Sequence, residues 1–207
     1  VQAEAEWALR NASNPEDRRA LERIVDQTRQ TARLASQLLN LARVSPEGRK
    51  AVRYEKTDLL TLAASVTSGM VRQAIRHNID LGFEDQSDGL SCEIETGNEV
   101  LLQEMLSNLI DNAIVYGTPG TIVTVRMIGG GVAVGPVLEV EDNGPGIPEK
   151  NREAVLERFV RLDEQNGQGC GLGLAIVREV ADAHRARLSL EDGKEGSGLK
   201  VRIEFPL

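Results

Sequence analysis

Several residue types are scarce in this 207-residue chain, and each scarcity excludes a class of protein. Aromatic residues make up only 3% of the sequence, so the core must be mostly aliphatic. Lys and Arg total 24 against 32 Asp and Glu, and the net charge of −8 argues against a nucleic-acid-binding face. Cys92 and Cys170 lack the spacing of a zinc site or a disulfide framework, which favours a reducing compartment. No apolar run approaches the length that spans a bilayer.

Residues 1–45 contain no glycine and a single proline, which separates them from the rest of the chain. Apolar and small residues repeat there at alternating three- and four-residue steps, which predicts a long helix with a heptad seam. A helical hairpin with such a stripe needs a partner, so we expect a dimeric bundle. The alternative is a solvated helix that lies on the main domain. Because Val1 already falls inside a helical pattern, we expect the chain to be part of a longer protein. The seam consists of Leu21, Ile24, Thr28, Thr31, Ala35, Leu38 and Ala42.

After a linker at residues 46–52, the sequence alternates between amphipathic helices and short strands. Asp58 is placed to cap a first helix, and further helices are predicted over residues 98–117 and 171–184. Because helices and strands do not alternate regularly, we expect an α+β fold. It would be a two-layer α/β sandwich with helices on one face of a mixed, largely antiparallel sheet, preceded by the α-helical hairpin. The predicted strands cover residues 52–57, 78–84, 90–95, 122–128, 137–141, 187–191 and 199–205.

The first chemical motif lies on the predicted helix 98–117. Glu104, Asn108, Asn112 and Tyr116 follow one another at four-residue steps and therefore share one face. A carboxamide there can offer its oxygen to a hard cation such as Mg²⁺ while phosphates supply other ligands. Taken alone, the asparagines could equally cap neighbouring backbone.

The second motif, Asp142-Asn143-Gly144-Pro145-Gly146, follows a predicted strand. A carboxylate fixed at a strand end can accept a hydrogen bond from an adenine amino group. Gly144 and Gly146 would let the backbone approach a flat base. The alternative for this segment alone is an ordinary Asp-Asn-Gly turn.

The third motif is the glycine cluster at residues 167–174, which leads into the last predicted helix. Backbone N–H groups at a helix N-terminus bind phosphate, and residues without side chains let phosphate come close. Arg158 and Arg161 precede the cluster and could add charge-assisted contacts. Their alternative is a solvated helix face.

In this order the motifs resemble those of the catalytic ATP-binding domain of bacterial sensor histidine kinases, within the superfamily shared with gyrase, Hsp90 and MutL. Residues 108–113 resemble the asparagine box, and residues 142–146 and 169–174 resemble the two glycine boxes. Residues 157–161 resemble the phenylalanine box inside a mobile ATP lid. The resemblance covers residues 53–207, and residues 1–45 resemble the second half of the dimerisation and histidine-phosphotransfer hairpin.

The resemblance implies a role for each matching residue. Asn112 would coordinate Mg²⁺, Asp142 would bind the adenine amino group, and Phe159 would anchor the lid through one apolar contact. Asn108, at the phosphate or metal end, and Arg161, which reaches the phosphates, would be the catalytic residues. The full set implied to bind ATP is Asn108, Asn112, Tyr116, Asp142, Gly144, Gly146, Phe159, Arg161, Gly169, Gly171, Leu172 and Gly173.

Two departures from the family pattern bear on function. Val115 stands where the family often has a basic residue that helps hold phosphate. The phosphoacceptor histidine is missing, because His77 and His184 are the only histidines and neither lies in the hairpin. We expect that histidine to precede Val1.

The resemblance therefore implies the ATP-binding kinase core of a two-component sensor, which phosphorylates a histidine for relay to a response-regulator receiver domain. We expect a homodimer through the hairpin, no nucleic-acid partner, and a cytoplasmic position below an inner-membrane sensor without direct membrane contact. A hydrolytic ATPase of the gyrase or Hsp90 type is disfavoured, because it would have a glutamate at position 108 and an asparagine cannot act as a general base. An interaction module with a degenerate nucleotide pocket is disfavoured by the intact Asn112, Asp142 and glycine sets.

Overall fold

The computed structural model describes residues 53–131, 134–162 and 171–207, together with scattered positions in the first 31 residues. Residues 17–22 are helical, and Arg18 N donates to Asn14 O at 3.0 Å, so this helix follows the turn at Asn14. The second half of the heptad seam, the whole linker at residues 46–52, Gly169 and Cys170 lie outside the described residues. Among the residues described, no helix is long and apolar enough to cross a bilayer.

The part of the chain from residue 53 onward folds as predicted, with three helices and seven strands among its described residues. Three short 3-10 turns lie at Glu149–Asn151, Ala154–Leu156 and Lys194–Gly196. The helices are α1 (Leu59–Arg76), α2 (Glu99–Tyr116) and α3 (Gly173–Ala183). The strands are β1 (Glu55–Asp58), β2 (Asp80–Gln86), β3 (Glu93–Gly97), β4 (Ile122–Ile128), β5 (Val137–Asp142), β6 (Arg187–Asp192) and β7 (Leu199–Glu204).

The main sheet has five strands in the order β2-β4-β5-β7-β6. Only β2 and β4 are parallel, and the other pairs are antiparallel. α1, α2 and α3 pack on this sheet over a core that is mostly aliphatic, as the scarcity of aromatic residues predicts. The predicted α+β class is confirmed, while the separate β1–β3 ribbon was not foreseen.

The strands β1, β2 and β3 begin later than their sequence pattern predicts, and for β2 and β3 the shift has a local cause. Asn78 has a φ of 55°, a left-handed conformation that ends the preceding helix and delays β2 until Asp80. Leu90 N donates to Ser87 O at 2.9 Å in a turn, which keeps Leu90 out of β3. An alternating apolar pattern does not reveal such turns, because the pattern runs through them.

Side-chain caps fix where the first two helices begin. Asp58 Oδ1 accepts from Leu60 N at 3.0 Å, as predicted from its position before the apolar stripe. Asn98 Oδ1 accepts from Leu101 N at 2.9 Å and so caps α2. These caps set the helical phase, which decides the face of α2 on which its asparagines lie.

The sheet face opposite the core carries charged residues that are nevertheless buried. Glu139 and Glu141 on the central strand β5 are both buried. Arg202 pairs with Glu139, while Arg126 pairs with Glu141 and, at 2.7 Å, with Glu84. Burial opposes ionisation of Glu141, but the Arg126 bond and the Lys194 N–H outweigh it and hold the pKa of that carboxyl below its usual value. These ion pairs allow Glu139 and Glu141 to remain charged although they are buried.

Candidate nucleotide-binding site

The C-terminal half of α2 and the start of α3 meet at Asn112 and Gly173. A Cβ atom on Gly173 would lie 3.0 Å from Asn112 Oδ1 and 3.1 Å from its Nδ2. The carboxamide of Asn112 therefore lies directly beside the first residue of α3, in a space that only glycine leaves open. This contact joins the asparagine motif to the last glycine motif.

The N-terminus of α3 offers unpaired backbone donors. No side chain of the described residues caps this helix, and its N-cap residue is the fully buried Leu172. The first N–H groups of a helix have no partner within it, and together with the helix dipole they favour an anion. Leu172, at 0% exposure, can contribute to a ligand site only through its backbone. The geometry fits a phosphate group beside Asn112.

Asp142 ends β5 with its carboxylate held on one oxygen. Its Oδ1 accepts from Gly144 N at 2.8 Å and from Leu199 N at 3.4 Å, while Oδ2 has no hydrogen-bond partner among the described residues. Burial raises the pKa of Asp142 above its usual value, although the two backbone hydrogen bonds oppose that rise. Burial therefore destabilises the ionised form of this carboxylate. Its Oδ2 atom remains available to accept a hydrogen bond from the amino group of a base.

The turn after Asp142 is held by its own residues and by the start of β4. Asn143 Oδ1 accepts from Ile122 N at 2.7 Å, and Asn143 N donates to Ile122 O at 3.2 Å, so this side chain extends the β4–β5 pairing. A Cβ on Gly144 would lie 2.9 Å from Asp142 Oδ1 and 3.9 Å from Gly117 Cα. Asn143 is therefore structural, and Gly144 leaves room for the carboxylate.

Phe159 departs from its predicted role as an apolar tether. The side chain is 65% exposed, so it makes no buried contact that would anchor the segment. The link is made by backbone instead, because Phe159 N donates to Gly171 O at 2.8 Å. Phe159 has a φ of 67° and Gly171 a φ of 69°, and a Cβ on Gly171 would lie 2.7 Å from Val160 O. A positive φ in a non-glycine residue such as Phe159 indicates backbone strain, and strained residues of this kind cluster at functional sites.

Two crossed ion pairs tie the residues before Phe159 to α3. Arg158 pairs with Glu179 at 2.8 Å, and Arg178 pairs with Glu157 at 3.0 Å. Arg158 thus pairs with the side of α3, which favours the alternative that the sequence had left open for it, a residue on a helix-facing surface. Arg161 is half-buried at the end of the described segment, and its contact with phosphate stays a prediction.

The other two predicted residues of α2 differ in exposure. Asn108 is only 7% exposed, and its Nδ2 donates to Glu104 O at 2.9 Å and to Glu104 Oε1 at 3.3 Å. These bonds give Asn108 a structural role within the helix, and a role at the phosphate or metal end stays a prediction. Tyr116, at the end of α2, is 44% exposed, and its contact with a nucleotide stays a prediction.

The two histidines end different helices in different surroundings. His184 is 3% exposed, with Nε2 accepting from Asn98 N at 3.0 Å and Nδ1 facing Val180 O at 2.8 Å. Because Nε2 accepts a hydrogen bond from Asn98 N, it carries no proton. The ring is therefore neutral, with its proton on Nδ1. His77, at the end of α1, is exposed. His184 therefore links the end of α3 to the start of α2 and has no free nitrogen.

One part of the site was missed by sequence reasoning, namely the turn between β6 and β7. Leu199 N binds Asp142, and a Cβ on Gly146 would lie 2.6 Å from Gly198 O. The signal was available in Gly193, Gly196 and Gly198, but a glycine-rich turn between two strands is ordinary in a sequence.

Comparison with known proteins identifies the family. A sequence profile described as histidine kinase-, DNA gyrase B-, and HSP90-like ATPase matches residues 97–207, more than half of the chain. This chain belongs to that ATPase family. The matched region contains α2, the turn after β5 and the start of α3, which are the elements that build the site. The resemblance drawn from the motifs is thereby confirmed.

Relatives within the family are sensor kinases. The chain is 31% identical over its whole length to the sensor protein kinase PmrB of Pseudomonas aeruginosa, where it covers 42% of that protein. It is 50% identical over 106 residues, 51% of the chain, to the sensor protein kinase CarS of the same organism, covering 22% of that protein. The chain thus spans less than half the length of these relatives.

Solved structures in the family share the fold. The mycobacterial sensor histidine kinase MprB is 29% identical, with a TM-score of 0.60 over 74% of this chain and 97% of that one. The Acinetobacter baumannii histidine kinase AdeS matches 99% of this chain and 92% of its own with a TM-score of 0.70. At 20% identity, the second likeness concerns the fold alone.

Proposed function

We propose that this ATPase-family chain is the ATP-binding kinase core of a two-component sensor histidine kinase. The observation that carries the proposal is the position of the Asn112 carboxamide beside Gly173, at an uncapped helix N-terminus. Asp142, with its free acceptor oxygen, supplies a second anchor for the adenine end. A base anchor and a phosphate anchor in one site are what a nucleotide requires.

The residues present fit Mg²⁺ as a companion of the nucleotide. Among the described residues, no group of three His, Cys, Asp or Glu side chains could hold a metal ion alone. Mg²⁺ usually keeps few protein ligands and takes the rest from phosphates and water, so the Asn112 oxygen beside the phosphate position suits it. When bound, Mg²⁺ would neutralise developing charge on the phosphates.

The proposed chemistry places little demand on acid–base groups. Phosphoryl transfer depends mainly on positioning and electrostatic stabilisation, which backbone donors of α3 and the Asp142 anchor can provide. The buried amide of Asn108 cannot act as a general base, which disfavours a hydrolytic ATPase. We propose that the phosphoryl acceptor is a histidine outside this sequence, with relay to a response-regulator receiver domain.

The acceptor is not proposed to be either histidine of this chain. His184 is buried and uses both ring nitrogens, so neither can attack a phosphate. His77 is exposed at the end of α1 and belongs to none of the nucleotide motifs, so we do not propose it as the acceptor. Dimerisation through the N-terminal hairpin and attachment below a membrane sensor remain part of the proposal, supported by the relatives' description as sensor kinases.

Two measurements test the proposed function. Calorimetric titration should detect ADP and ATP binding that strengthens when Mg²⁺ is present. Incubation with γ-labelled ATP should leave no acid-labile label on this chain, whereas a fusion that completes the hairpin with a histidine-bearing segment ahead of Val1 should become labelled. Absence of nucleotide binding, or stoichiometric label on His77 or His184, would contradict the proposal.

A further inference from the structure

The glycine-rich turn at residues 193–198, here called the 193–198 loop, lies between β6 and β7 and packs against the end of β5. A Cβ on Gly198 would lie 1.8 Å from Asp142 O, and one on Gly193 would lie 2.9 Å from the same oxygen. Both glycines are buried, although the loop as a whole is a surface turn. The backbone of Asp142 therefore rests directly on the loop at two points.

Hydrogen bonds add to this packing. Lys194 N donates to Glu141 Oε1 at 2.7 Å, one residue before Asp142. Leu199 N, the first residue after the loop, donates to Asp142 Oδ1 at 3.4 Å. Ser197 Oγ donates to Asn143 O at 3.4 Å, one residue after Asp142. The loop thus contacts three consecutive residues around the carboxylate, from the strand end into the turn.

We infer that the 193–198 loop is a positioning element for the adenine pocket, with Gly198 as the residue on which the placement of Asp142 depends. This inference rests on the proposed function, because it concerns the same nucleotide site. Gly198 is not itself among the predicted ATP-binding residues, but it contacts two of them, Asp142 and Gly146, and we expect it to act through Asp142. Any side chain at Gly198 must displace the backbone carbonyl of Asp142. The carboxylate of Asp142 belongs to the same residue and would move with that carbonyl.

The chain offers a matched control within the same loop. Gly196 has a φ of 75° and Gly198 a φ of 79°, so an alanine meets similar backbone strain at either position. A Cβ on Gly196, however, would meet no atom within 4 Å. Gly198→Ala and Gly196→Ala therefore differ chiefly in the contact with Asp142.

The test compares two ligands, ADP and purine riboside 5′-diphosphate, which lacks the exocyclic amino group. Gly198→Ala should lower the affinity for ADP by about tenfold or more, since it misplaces an acceptor of a charge-assisted hydrogen bond. It should leave the affinity for the deamino analogue nearly unchanged. Gly196→Ala should bind both ligands like the original chain. The ligand comparison separates positioning from general damage, because loss of fold weakens both ligands together.

The outcomes are distinguishable. If the original chain fails to bind ADP, the proposed function falls and this inference falls with it. If the original chain binds ADP but a folded Gly198→Ala variant behaves like Gly196→Ala, or loses affinity for both ligands equally, the positioning inference alone is wrong.

A second pair of variants serves if Gly198→Ala does not fold. Lys194→Pro removes the N–H that binds Glu141, at the first position of a short helical turn where proline is tolerated. Lys194→Ala keeps that N–H. The inference expects Lys194→Pro to lose ADP affinity selectively over the deamino analogue and Lys194→Ala to lose none. Equal behaviour of the two variants would overturn it.

Discussion

Asp142→Asn should remove most of the affinity for adenine nucleotides without unfolding the protein. The substitution keeps an oxygen that can accept from Gly144 N, where Asp142 Oδ1 now accepts at 2.8 Å, so the turn should persist. It removes the negative charge that strengthens a bond from the adenine amino group. A hydrogen bond to a charged group contributes about 1.5–3 kcal/mol, which corresponds to a loss of about 10- to 150-fold in Kd.

The effect on stability should have the opposite sign. Burial raises the pKa of Asp142 above the usual value near 3.8, so its charged form is disfavoured in the folded protein relative to the unfolded chain. At neutral pH the ionised Asp142 therefore lowers the free energy of unfolding of the ligand-free protein. This destabilisation disappears as the pH falls through the raised pKa of Asp142. Asn carries no charge, so the ligand-free variant should melt at the same temperature or higher at pH 7.

Nucleotide affinity should depend on pH for the same reason. Because the ionised carboxylate accepts the amino proton, ADP affinity should fall as pH drops through the raised pKa of Asp142. The decline should therefore begin at a higher pH than for an ordinary aspartate, and Asp142→Asn should abolish this component.

The assay is calorimetry with ADP across a pH series, paired with thermal unfolding of the ligand-free proteins. Asp85→Asn is a matched control, since Asp85 Oδ1 likewise accepts a backbone N–H two residues on, from Ser87 at 2.9 Å, but Asp85 is exposed. This control changes the net charge equally and should leave ADP affinity intact. Unchanged ADP affinity in Asp142→Asn, or a loss explained by a lower melting temperature, would refute the reasoning.

Three further substitutions test separate parts of the site. Asn112→Ala should weaken nucleotide binding more with Mg²⁺ than without, whereas an equal loss in both titrations would indicate a purely structural amide. His184→Ala should lower the free energy of unfolding by about 2–4 kcal/mol, because it removes a buried side chain and leaves the partly buried Asn98 N–H without its acceptor, while His77→Ala at the exposed end of α1 should change it little. Denaturant titration measures both, and equal effects would argue against the link through His184. Phe159→Gly should not lower the melting temperature, because the side chain is exposed and its positive φ suits glycine; a clear drop would restore the apolar tether.

Local signals in the sequence determined the secondary structure and the fold class. Asp58 was identified as a cap from its place before an apolar stripe, and β4 was predicted with its observed bounds from alternation alone. These features depend on hydrogen bonds and side-chain periods within a few residues, which a sequence displays directly. The motif order also sufficed to indicate the ATPase family, because each box carries a residue type suited to its part of a nucleotide.

Tertiary structure decided which of these residues meet. The space for the Asn112 amide depends on Gly173, 61 positions further along the chain, and only the packing of α2 against α3 brings them together. The sequence left open whether Arg158 contacts phosphate, and in the fold it pairs with Glu179 of α3. Phe159 was expected to be buried, yet a backbone bond to Gly171 makes the link in its place.

The sequence by itself therefore determined the helices, most strand positions, the aliphatic core and the family of the nucleotide motifs. The support of Asp142 by the 193–198 loop was decided only by the register of β5 against β7, which places Glu141 opposite Lys200 and the loop beside the strand end. Contacts of this kind join residues that are far apart in the chain, and no local period records them. They follow from which strands pair and in what register, and for this reason the loop was recognised only in the folded protein.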